Sequence, residues 1–313
     1  ETMNFTARTK SELCKKRYES GCCLLAELSA FVRTAGSIIS ERDVYGFSVT
    51  GQADCVKYFA KVISELFSGK VEFNYSAGGD KVCGFTFLNQ SSADVLIQLG
   101  IFRFVGGELA IALDPDEYIT ENDCCKRAFT AGAFMGAGSI TVPECDENSS
   151  ASTGYHLEFC FSKYLTALRF SEMLAGQGFL PKIIERKQSY VVYFKQNEEI
   201  KDMLAYMGAD SSVLAFSDVV VMREMKNRVN RETNCELHNV SRQVEASVKI
   251  CSAIKSLDSA VGISNLPEEL AAVANARLKY RDMTLTELAD KLGISKSCLN
   301  HRLRKLAALA KEL

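Results

Sequence analysis

The sequence predicts an α+β protein in which two αββαββα halves precede an all-α domain that ends in a helix-turn-helix. Three observations indicate this fold class. Much of residues 1–212 repeats itself at an offset of 102 residues. The order of helix-like and strand-like segments repeats with it, and residues 284–313 carry the cap and turn signals of two short helices.

Composition places the chain among globular proteins. Its 313 residues are 47% hydrophobic and 24% charged, which is enough chain for two domains. The longest apolar runs are much shorter than the roughly 20 residues of a membrane-spanning helix, and no apolar signal segment follows the polar first residues. We therefore expect a cytoplasmic protein without a membrane partner.

Twelve cysteines are spread along the chain. No two of them have the Cys-x-x-Cys spacing, so the sequence does not predict a structural zinc site. Without a signal segment we expect reduced thiols that act mostly as small core residues, rather than a disulfide framework. The sequence predicts neither a metal nor a cofactor.

The net charge of −2 conceals an uneven distribution. Residues 1–220 carry 21 Lys and Arg against 28 Asp and Glu, whereas residues 221–313 carry 16 against 11. The C-terminal part is therefore the expected polyanion-binding end. The acidic N-terminal part is a poor candidate for sequence-independent DNA binding, which depends on neutralising phosphates.

The internal repeat organises residues 1–212. Cys22-Cys23 recurs as Cys124-Cys125, and Gly36-Ser37-Ile38 recurs as Gly138-Ser139-Ile140. In each half we predict a helix, two strand-like segments, a second helix, a hairpin and a shorter closing helix. Agreement at this many aligned positions is improbable by chance.

The predicted elements follow the same order in both halves. The helices are expected at 22–35, 54–68 and 92–101, then at 124–137, 163–176 and 197–207. The strand-like segments are expected at 37–50, 71–76 and 83–88, then at 139–142, 155–162, 182–185 and 190–195. Gly78-Gly79-Asp80 is expected to form the turn of the first hairpin.

Small residues line one side of the first helix in each half. They are Ala26, Ala30, Ala35 and Gly36 in the first half, and Ala128, Gly132, Gly136 and Gly138 in the second. Because small side chains let two backbones come close, we expect the two helices to pack tightly on each other. The alternative is that each alanine-rich helix packs on the sheet of its own half.

Residues 284–313 show the pattern of a helix-turn-helix. Thr284 and Glu287 form a capping-box pattern, Gly293 is placed to make the turn, and Ser295 is placed to cap the next helix. Apolar residues at helical spacing predict the inner faces of both helices: Leu285, Leu288, Ala289 and Leu292, then Leu299, Leu303, Leu306 and Leu309 or Ala310. A preceding helix at 267–280, opened by Pro267, would complete a three-helix domain.

The second helix of this motif is the candidate recognition helix. Recognition helices place their N-terminal residues against base edges in the major groove. The residues that we predict to contact bases are Lys296, Ser297, Asn300, His301 and Arg304. The residues that we predict to contact phosphates are Arg302, Lys305 and Lys311. The alternative is a solvated basic face on a helix that only packs against its neighbour.

Between the repeat and this motif lies a polar, arginine-rich segment, residues 222–242. Lys226, Arg228 and Arg231 are candidates for additional phosphate or minor-groove contacts. The alternative is a solvated helix that makes no DNA contact. Residues 244–258 look like an amphipathic helix whose inward residues are predicted to be Val244, Val248, Cys251, and Ile254 or Ala253.

The repeat resembles the LAGLIDADG homing-endonuclease fold, through residues 28–38 (LSAFVRTAGSI) and 130–140 (TAGAFMGAGSI). In active enzymes of that family, the residue before the Gly-Ser pair is Asp or Glu, and one such carboxylate from each half holds the catalytic metals. Here the positions are Ala35 and Ala137, and the neighbouring Ser37 and Ser139 are weak ligands for hard cations. We therefore expect no nuclease activity, no catalytic residue and no bound metal.

The whole chain resembles the WhiA family of bacterial regulators. The resemblance rests on this degenerate repeat together with residues 4–15 (NFTARTKSELCK), 226–239 (KNRVNRETNCELHN) and 294–310 (ISKSCLNHRLRKLAALA). One departure is Cys298, which occupies a position where the family often has Gly. A side chain there could change how closely the helix approaches its neighbour or DNA.

The resemblance implies a nucleoid-associated transcription factor that acts in sporulation, cell division or chromosome segregation. It implies promoter double-stranded DNA as a partner, with a second transcription factor or RNA polymerase as protein partner. The corresponding domains are a LAGLIDADG-like domain at 1–212 (repeats about 1–105 and 106–212), a helical basic linker at 213–260 and a helix-turn-helix domain at 261–313.

Three alternatives remain open at this point. One is a nucleoid-associated architectural protein with little sequence specificity. Another is an enzyme with residual activity, and the last is a sensor that binds a small ligand between the two halves.

Overall fold

The chain forms two compact units, Glu1–Arg223 and Glu224–Leu313, which we call unit 1 and unit 2. The computed structural model describes residues 4–42, 44–67, 69–76, 82–143 and 154–312. The predicted turn at Gly78-Gly79-Asp80 lies outside these residues, as does Cys145. Among the described residues, no helix is both long and apolar enough to cross a membrane.

The first half of unit 1 begins with a helix that was not predicted, then follows the predicted order and then adds a hairpin. Its elements are α1 (Phe5–Leu13), α2 (Gly21–Ala35), β1 (Gly36–Glu41), β2 (Val44–Thr50), α3 (Ala53–Leu66), β3 (Glu72–Tyr75), β4 (Val82–Phe87), α4 (Ser92–Gln98), β5 (Phe102–Val105) and β6 (Glu108–Ile111). Helix α1 is capped by the Asn4 side chain, which accepts a hydrogen bond from Ala7 N. The β5–β6 hairpin was not predicted, and it has no counterpart among the described elements of the second half.

The second half repeats the core of the first. Its elements are α5 (Asp123–Ala137), β7 (Gly138–Thr141), β8 (His156–Phe161), α6 (Tyr164–Ala175), β9 (Lys182–Arg186), β10 (Ser189–Phe194) and α7 (Asn197–Met207). The two four-stranded sheets have the equivalent orders β1-β2-β4-β3 and β7-β8-β10-β9, and every adjacent pair is antiparallel. The predicted two-repeat α+β architecture is thus confirmed.

Helices α2 and α5 pack on each other so closely that glycine is required at their contact. A Cβ on Gly132 would lie 2.1 Å from the backbone oxygen of Glu27, and one on Gly136 would lie 2.0 Å from Thr34 Oγ1. Real Cβ atoms are not found so near, so the backbones meet where the second half has no side chain. This confirms the predicted close packing of the two helices.

Phenylalanine dominates the rest of the core of unit 1. Phe31 of α2 stacks on Phe59 of α3, with their ring centroids 3.9 Å apart. Phe134 of α5 makes an edge-to-face contact with Phe159 of β8 at 5.9 Å. All four rings are fully buried, so each half contributes its own helix-on-sheet layer to a shared core.

Four helices form the framework of unit 2. They are α8 (Asp210–Ala260), whose first residues belong to unit 1, α9 (Glu268–Lys279), α10 (Leu285–Leu292) and α11 (Lys296–Leu309). Their core contains Ile254 and Leu257 of α8, together with leucines of the last three helices. The inward residues of α8 were predicted only in part, because Cys251 and Ile254 are buried while Val244 and Val248 are 56% and 62% exposed.

Candidate nucleic-acid interface

Three local signals that the sequence displays define α10, the turn after it and the start of α11. Thr284 N donates to Glu287 Oε2 at 2.8 Å and Glu287 N donates to Thr284 Oγ1 at 3.3 Å, which completes the predicted capping box of α10. Gly293 follows α10 with φ 64°, a conformation that favours glycine. Ser295 then caps α11 by accepting a hydrogen bond from Cys298 N at 3.2 Å. The capping box starts α10, and Gly293 and Ser295 set the turn between the two helices.

Leucines anchor α11 to the rest of unit 2. Leu299, Leu303 and Leu306 are buried and pack in one cluster with Leu288 of α10 and Leu270 of α9. The predicted inward face of α11 is confirmed. The opposite face of the helix is therefore presented to solvent.

The exposed side of α11 carries polar and basic residues in two neighbouring rows. One row contains Lys296, Asn300 and Arg304, and the other contains Ser297, His301 and Lys305. Residues four apart lie one above the other on a helix, so each row is continuous. All six are exposed except Asn300, which is half-buried.

Arg302 lies away from these rows. Its Nη2 donates to Glu269 Oε2 of α9 at 2.7 Å, and its side chain is 20% exposed. The pair links α11 to α9. Arg302 was predicted to contact phosphate, but in this arrangement its guanidinium is already engaged.

A groove of about 730 Å³ borders one row of α11. Val240, Val244 and Val248 of α8 form one wall, and Asn300 and Arg304 of α11 form part of the other. The basic side chains that line it further are Arg242, Lys255, Arg277 and Arg281. Sequence reasoning missed this groove because residues 240–255 and 300–304 are distant along the chain.

Arg277 is a buried residue of this groove that sequence reasoning also missed. It is 5% exposed, and its Nη1 donates to the backbone oxygen of Met283 at 2.6 Å. That bond holds the segment that leads into α10. Within the described part of the chain, no hydrogen-bond partner is found for its Nε.

Two family models match the chain. The WhiA LAGLIDADG-like domain matches residues 126–226, and the WhiA C-terminal HTH domain matches residues 229–310. The probable cell division protein WhiA of Alkaliphilus metalliredigens is 33% identical over 317 residues, which cover 98% of each chain. The protein of the same name from Caldicellulosiruptor saccharolyticus is 32% identical over 319 residues, which cover 99% of this chain and 96% of the other.

The chain belongs to the WhiA family. A crystal structure of full-length DUF199/WhiA from Thermatoga maritima has the same fold, with a TM-score of 0.58 and 21% identity over 99% of both chains. The predicted family and fold class are both confirmed. Membership places the helix-turn-helix and the degenerate LAGLIDADG-like repeat in one protein, as the sequence indicated.

In this WhiA-family chain the C-terminal ends of α2 and α5 carry alanine at the two positions that were compared with the endonuclease carboxylates. Ala35 and Ala137 are the last residues of α2 and α5. Ser139 lies opposite Glu158 in the strand register and donates to its carboxylate at 3.1 Å, whereas the equivalent Ser37 lies opposite Ser48. Glu158 also contacts His156 at 2.9 Å and Arg186 at 3.5 Å. One half therefore supplies a carboxylate near this position and the other half supplies a hydroxyl.

A cleft of about 430 Å³ also lies in unit 1, lined by residues of both halves. Arg33 borders it and donates to the backbone oxygens of Gly100 and Ala112. Arg169 borders it and is paired with Glu172 at 2.8 Å. Both guanidinium groups are engaged within the protein, so the cleft does not by itself indicate a ligand class.

The predicted basic residues of the connecting segment lie on α8. Lys226, Arg228 and Arg231 are exposed on a continuous helix. Arg228 and Arg231 are three residues apart and therefore lie on the same side. They are candidates for phosphate contacts in addition to those of α11.

Proposed function

We propose that this chain is a DNA-binding transcriptional regulator of the WhiA type, in which α11 contacts base edges in the major groove. The observation that carries the proposal is the exposed polar face of α11. It is presented by a helix that is capped at its start and anchored by three buried leucines. A helix held in this way has its side chains oriented before it meets DNA, which favours specific recognition.

The residue types on that face suit base recognition. Asn can pair with adenine and Arg can pair with guanine through two hydrogen bonds each. Asn300 and Arg304 supply these groups in one row, preceded by Lys296 at the start of the helix. Ser297 and His301 supply shorter polar groups in the adjacent row.

Phosphate contacts are proposed for the remaining cations. Lys305 and Lys311 are exposed near the C-terminal half of α11, and Lys226, Arg228 and Arg231 are exposed on α8. Such contacts position a protein on the duplex but do not specify sequence. Arg302 would join them only if it left Glu269.

Unit 1 is proposed to act as a scaffold or partner-binding module rather than as a nuclease. Two-metal hydrolysis needs carboxylates that clamp both the attacking and the leaving oxygen. Two observations argue against such a site. Alanine occupies both helix ends, at Ala35 and Ala137, and the residue opposite the following serine is Ser48 in one half but Glu158 in the other. Incubation of plasmid DNA with Mg²⁺ or Mn²⁺ should leave the plasmid intact, and nicking by the purified chain would contradict this assignment.

The cellular role is proposed from the family. The relatives are named probable cell division proteins, which supports a role in cell division. A role in sporulation or chromosome segregation is proposed from the family resemblance alone. The protein would then act at the nucleoid, at promoters, with a second transcription factor or RNA polymerase as its protein partner.

The test is DNA binding by the full chain and by the variant Asn300→Ala/Arg304→Ala. The duplexes are one enriched from genomic DNA by the wild-type chain and one of random sequence, measured by fluorescence anisotropy at two salt concentrations. We expect the variant to lose its preference for the enriched duplex, at about 1–3 kcal/mol for each lost base contact. Binding to random duplex should change little.

A matched control is Lys249→Ala/Asn275→Ala, which removes one cation and one polar group at exposed positions of α8 and α9. This control should retain the preference of wild type. If Asn300→Ala/Arg304→Ala also retains it, α11 is not the surface that distinguishes sequences.

The second candidate function is an architectural DNA-binding protein with little specificity. The basic groove next to α11 and the cations of α8 favour this function, because basic side chains attract DNA phosphates whatever the base sequence. A competition experiment separates the two functions. The complex of a specific regulator with the enriched duplex should persist in about a thousandfold excess of random DNA. Equal competition by random and enriched duplex would favour the architectural function.

A further inference from the structure

Four cysteines meet at the N-terminal ends of α2 and α5. Cys22 and Cys23 are the second and third residues of α2, and Cys124 and Cys125 hold the same positions in α5. The sulfur atoms of Cys22, Cys23 and Cys125 all lie within 4.8 Å of one another. Cysteine spacing along the chain did not predict this cluster, because its members come from two segments 102 residues apart.

Cys124 completes the group. Its thiol is close enough to interact with Cys23 and Cys125, and Cys125 is close enough to interact with Cys22. Each helix thus connects its exposed cysteine to the buried cysteine of the other helix. The arrangement follows the internal symmetry of unit 1 and provides four sulfur donors.

The ends of both helices favour thiolates at this place. Neither Ser20 before α2 nor Asn122 before α5 makes a side-chain cap, so no capping side chain competes with sulfur for the N–H groups of the two first turns, although Cys23 N donates to the backbone oxygen of Ser20 at 3.2 Å. Helix N-termini also carry partial positive charge, which stabilises thiolates.

The two buried members have the opposite tendency when no ion is bound. Burial raises the pKa of Cys23 above its usual range and that of Cys125 to about 11. A divalent ion reverses this, because it binds thiolate and displaces the thiol proton. Lys16 lies close enough to interact electrostatically with Cys23, and its charge would offset part of the negative charge of a thiolate group.

We propose that Cys22, Cys23, Cys124 and Cys125 bind one Zn²⁺ ion as four thiolates. A tetrahedral site with Zn–S bonds of about 2.3 Å places neighbouring sulfurs about 3.8 Å apart, so the sulfurs of Cys22, Cys23 and Cys125, which lie within 4.8 Å of one another, need to move by only about 1 Å. Cys124, which interacts with Cys23 and Cys125, supplies the fourth thiolate. Zn²⁺ replaces the four thiol protons, which are released to solvent. Cys22 and Cys124 are exposed and leave a path for the ion, while Cys23 and Cys125 are 5% and 1% exposed.

Such a site is structural rather than catalytic. Four protein ligands fill a tetrahedral zinc ion and leave no position for substrate. It would join the two halves of unit 1 at one end of the helix pair. Ala35 and Ala137 lie at the other end, about 20 Å away along helices that rise 1.5 Å per residue.

Cobalt binding by the full chain tests the proposal. The reduced protein is titrated with Co²⁺, and thiolate-to-cobalt charge-transfer bands and tetrahedral ligand-field bands are followed by absorption. We expect one Co²⁺ per chain, displaced by one equivalent of Zn²⁺. Zinc should also raise the unfolding temperature of the wild-type chain, since an ion that binds only the folded state stabilises it.

The variant Cys22→Ser/Cys124→Ser removes the two exposed ligands, so the buried core stays intact and circular dichroism can verify folding. It should lose the cobalt bands, with zinc affinity lowered by more than about a hundredfold, because even residues that only orient ligands change affinity by 10–100-fold. Cys235→Ser, at an exposed position of α8, is the control and should bind as wild type does.

Two results would overturn the proposal. One is a folded, fully reduced wild-type chain that gives no thiolate–cobalt bands. The other is bands of equal intensity in wild type and in Cys22→Ser/Cys124→Ser. The first would leave the four cysteines as packing residues or as partners in disulfides between the helices, which mass mapping of the oxidised chain would identify.

Discussion

The α2–α5 pair of unit 1 and the α10–α11 pair of unit 2 are both made of adjacent helices, but they meet in different ways. In unit 1, Gly132 brings the backbone of α5 against the backbone of α2. In unit 2, Leu288 and Leu299 hold the helices together through side chains. The size of the residue at the contact decides between the two arrangements.

This difference determines where polar groups can act. The close contact in unit 1 encloses Glu27, which is fully buried and accepts hydrogen bonds from Tyr18 at 2.8 Å and Tyr58 at 2.7 Å. The leucine contact in unit 2 leaves the polar rows of α11 exposed. Substitutions at the first contact should therefore change folding, whereas those on α11 should change binding.

The largest effect is expected for Gly132→Ala. Its Cβ would lie 2.1 Å from a backbone oxygen, so the helices themselves must separate. We expect unit 1 to lose more than about 4 kcal/mol of unfolding free energy, in the range that marks a severe packing conflict. Urea unfolding followed by tyrosine fluorescence measures this, because ten of the eleven tyrosines precede residue 224.

Gly21→Ala is the control for that substitution. Gly21 is the first residue of α2, and a Cβ there would meet nothing within 4 Å. Its unfolding midpoint should match wild type. If Gly132→Ala were equally harmless, the two helices would not be held at the distance described here.

A smaller effect, visible in the pH dependence, is expected for Glu27→Gln. Burial raises the pKa of Glu27 to about 7 from its usual 4.5, against the opposing hydrogen bonds of Tyr58 and Tyr18. The folded state holds this proton more tightly than the unfolded state. The tighter proton binding therefore stabilises the folded state fully below pH 4.5. As the pH rises through 7, this contribution of about 3 kcal/mol to the free energy of unfolding is lost.

Glutamine does not titrate, so the variant does not lose this contribution. Its free energy of unfolding, measured relative to wild type, should therefore be about 3 kcal/mol higher at pH 8 than at pH 4.5. Urea unfolding at both pH values measures the difference. Glu19→Gln, at an exposed position of unit 1, should follow wild type throughout. A constant difference between Glu27→Gln and wild type across this range would exclude a raised pKa.

The smallest effect is expected for Thr284→Ala in unit 2. The substitution removes the side-chain half of the capping box, and such caps contribute about 1 kcal/mol. Amide hydrogen exchange at Glu287 should accelerate, because that N–H loses its acceptor. Thr286→Ala, at the second residue of α10, is the control. Equal exchange rates at Glu287 in both variants would mean that the cap does not stabilise the helix.

Local signals were sufficient for the helix-turn-helix. Thr284, Gly293 and Ser295 act within three or four residues of themselves, so their hydrogen bonds and turn could be predicted without knowing the rest of the fold. The repeat was equally predictable, because equal spacing of glycine, alanine and cysteine in two segments already indicates two copies of one architecture.

Prediction failed where an outcome depended on distant residues. Val244 and Val248 fit an amphipathic pattern, but they lie beside a groove instead of in the core. In the sequence, Arg302 looks like any other basic residue of a recognition helix. Only the packing of α9 on α11 places Glu269 beside it. Cys22, Cys23, Cys124 and Cys125 show no metal-binding spacing, and only the pairing of the two halves brings them together.

The sequence by itself determined the two repeats, the loss of both carboxylates at Ala35 and Ala137, and the caps and turn that build α11. These features depend on residue identity and on interactions between near neighbours. The tertiary structure alone decided which side of α8 is buried, that Arg302 of α11 is paired with Glu269, and which thiols lie close together. Each of these requires knowing which segments pack together, because burial and pairing arise only when the chain is folded.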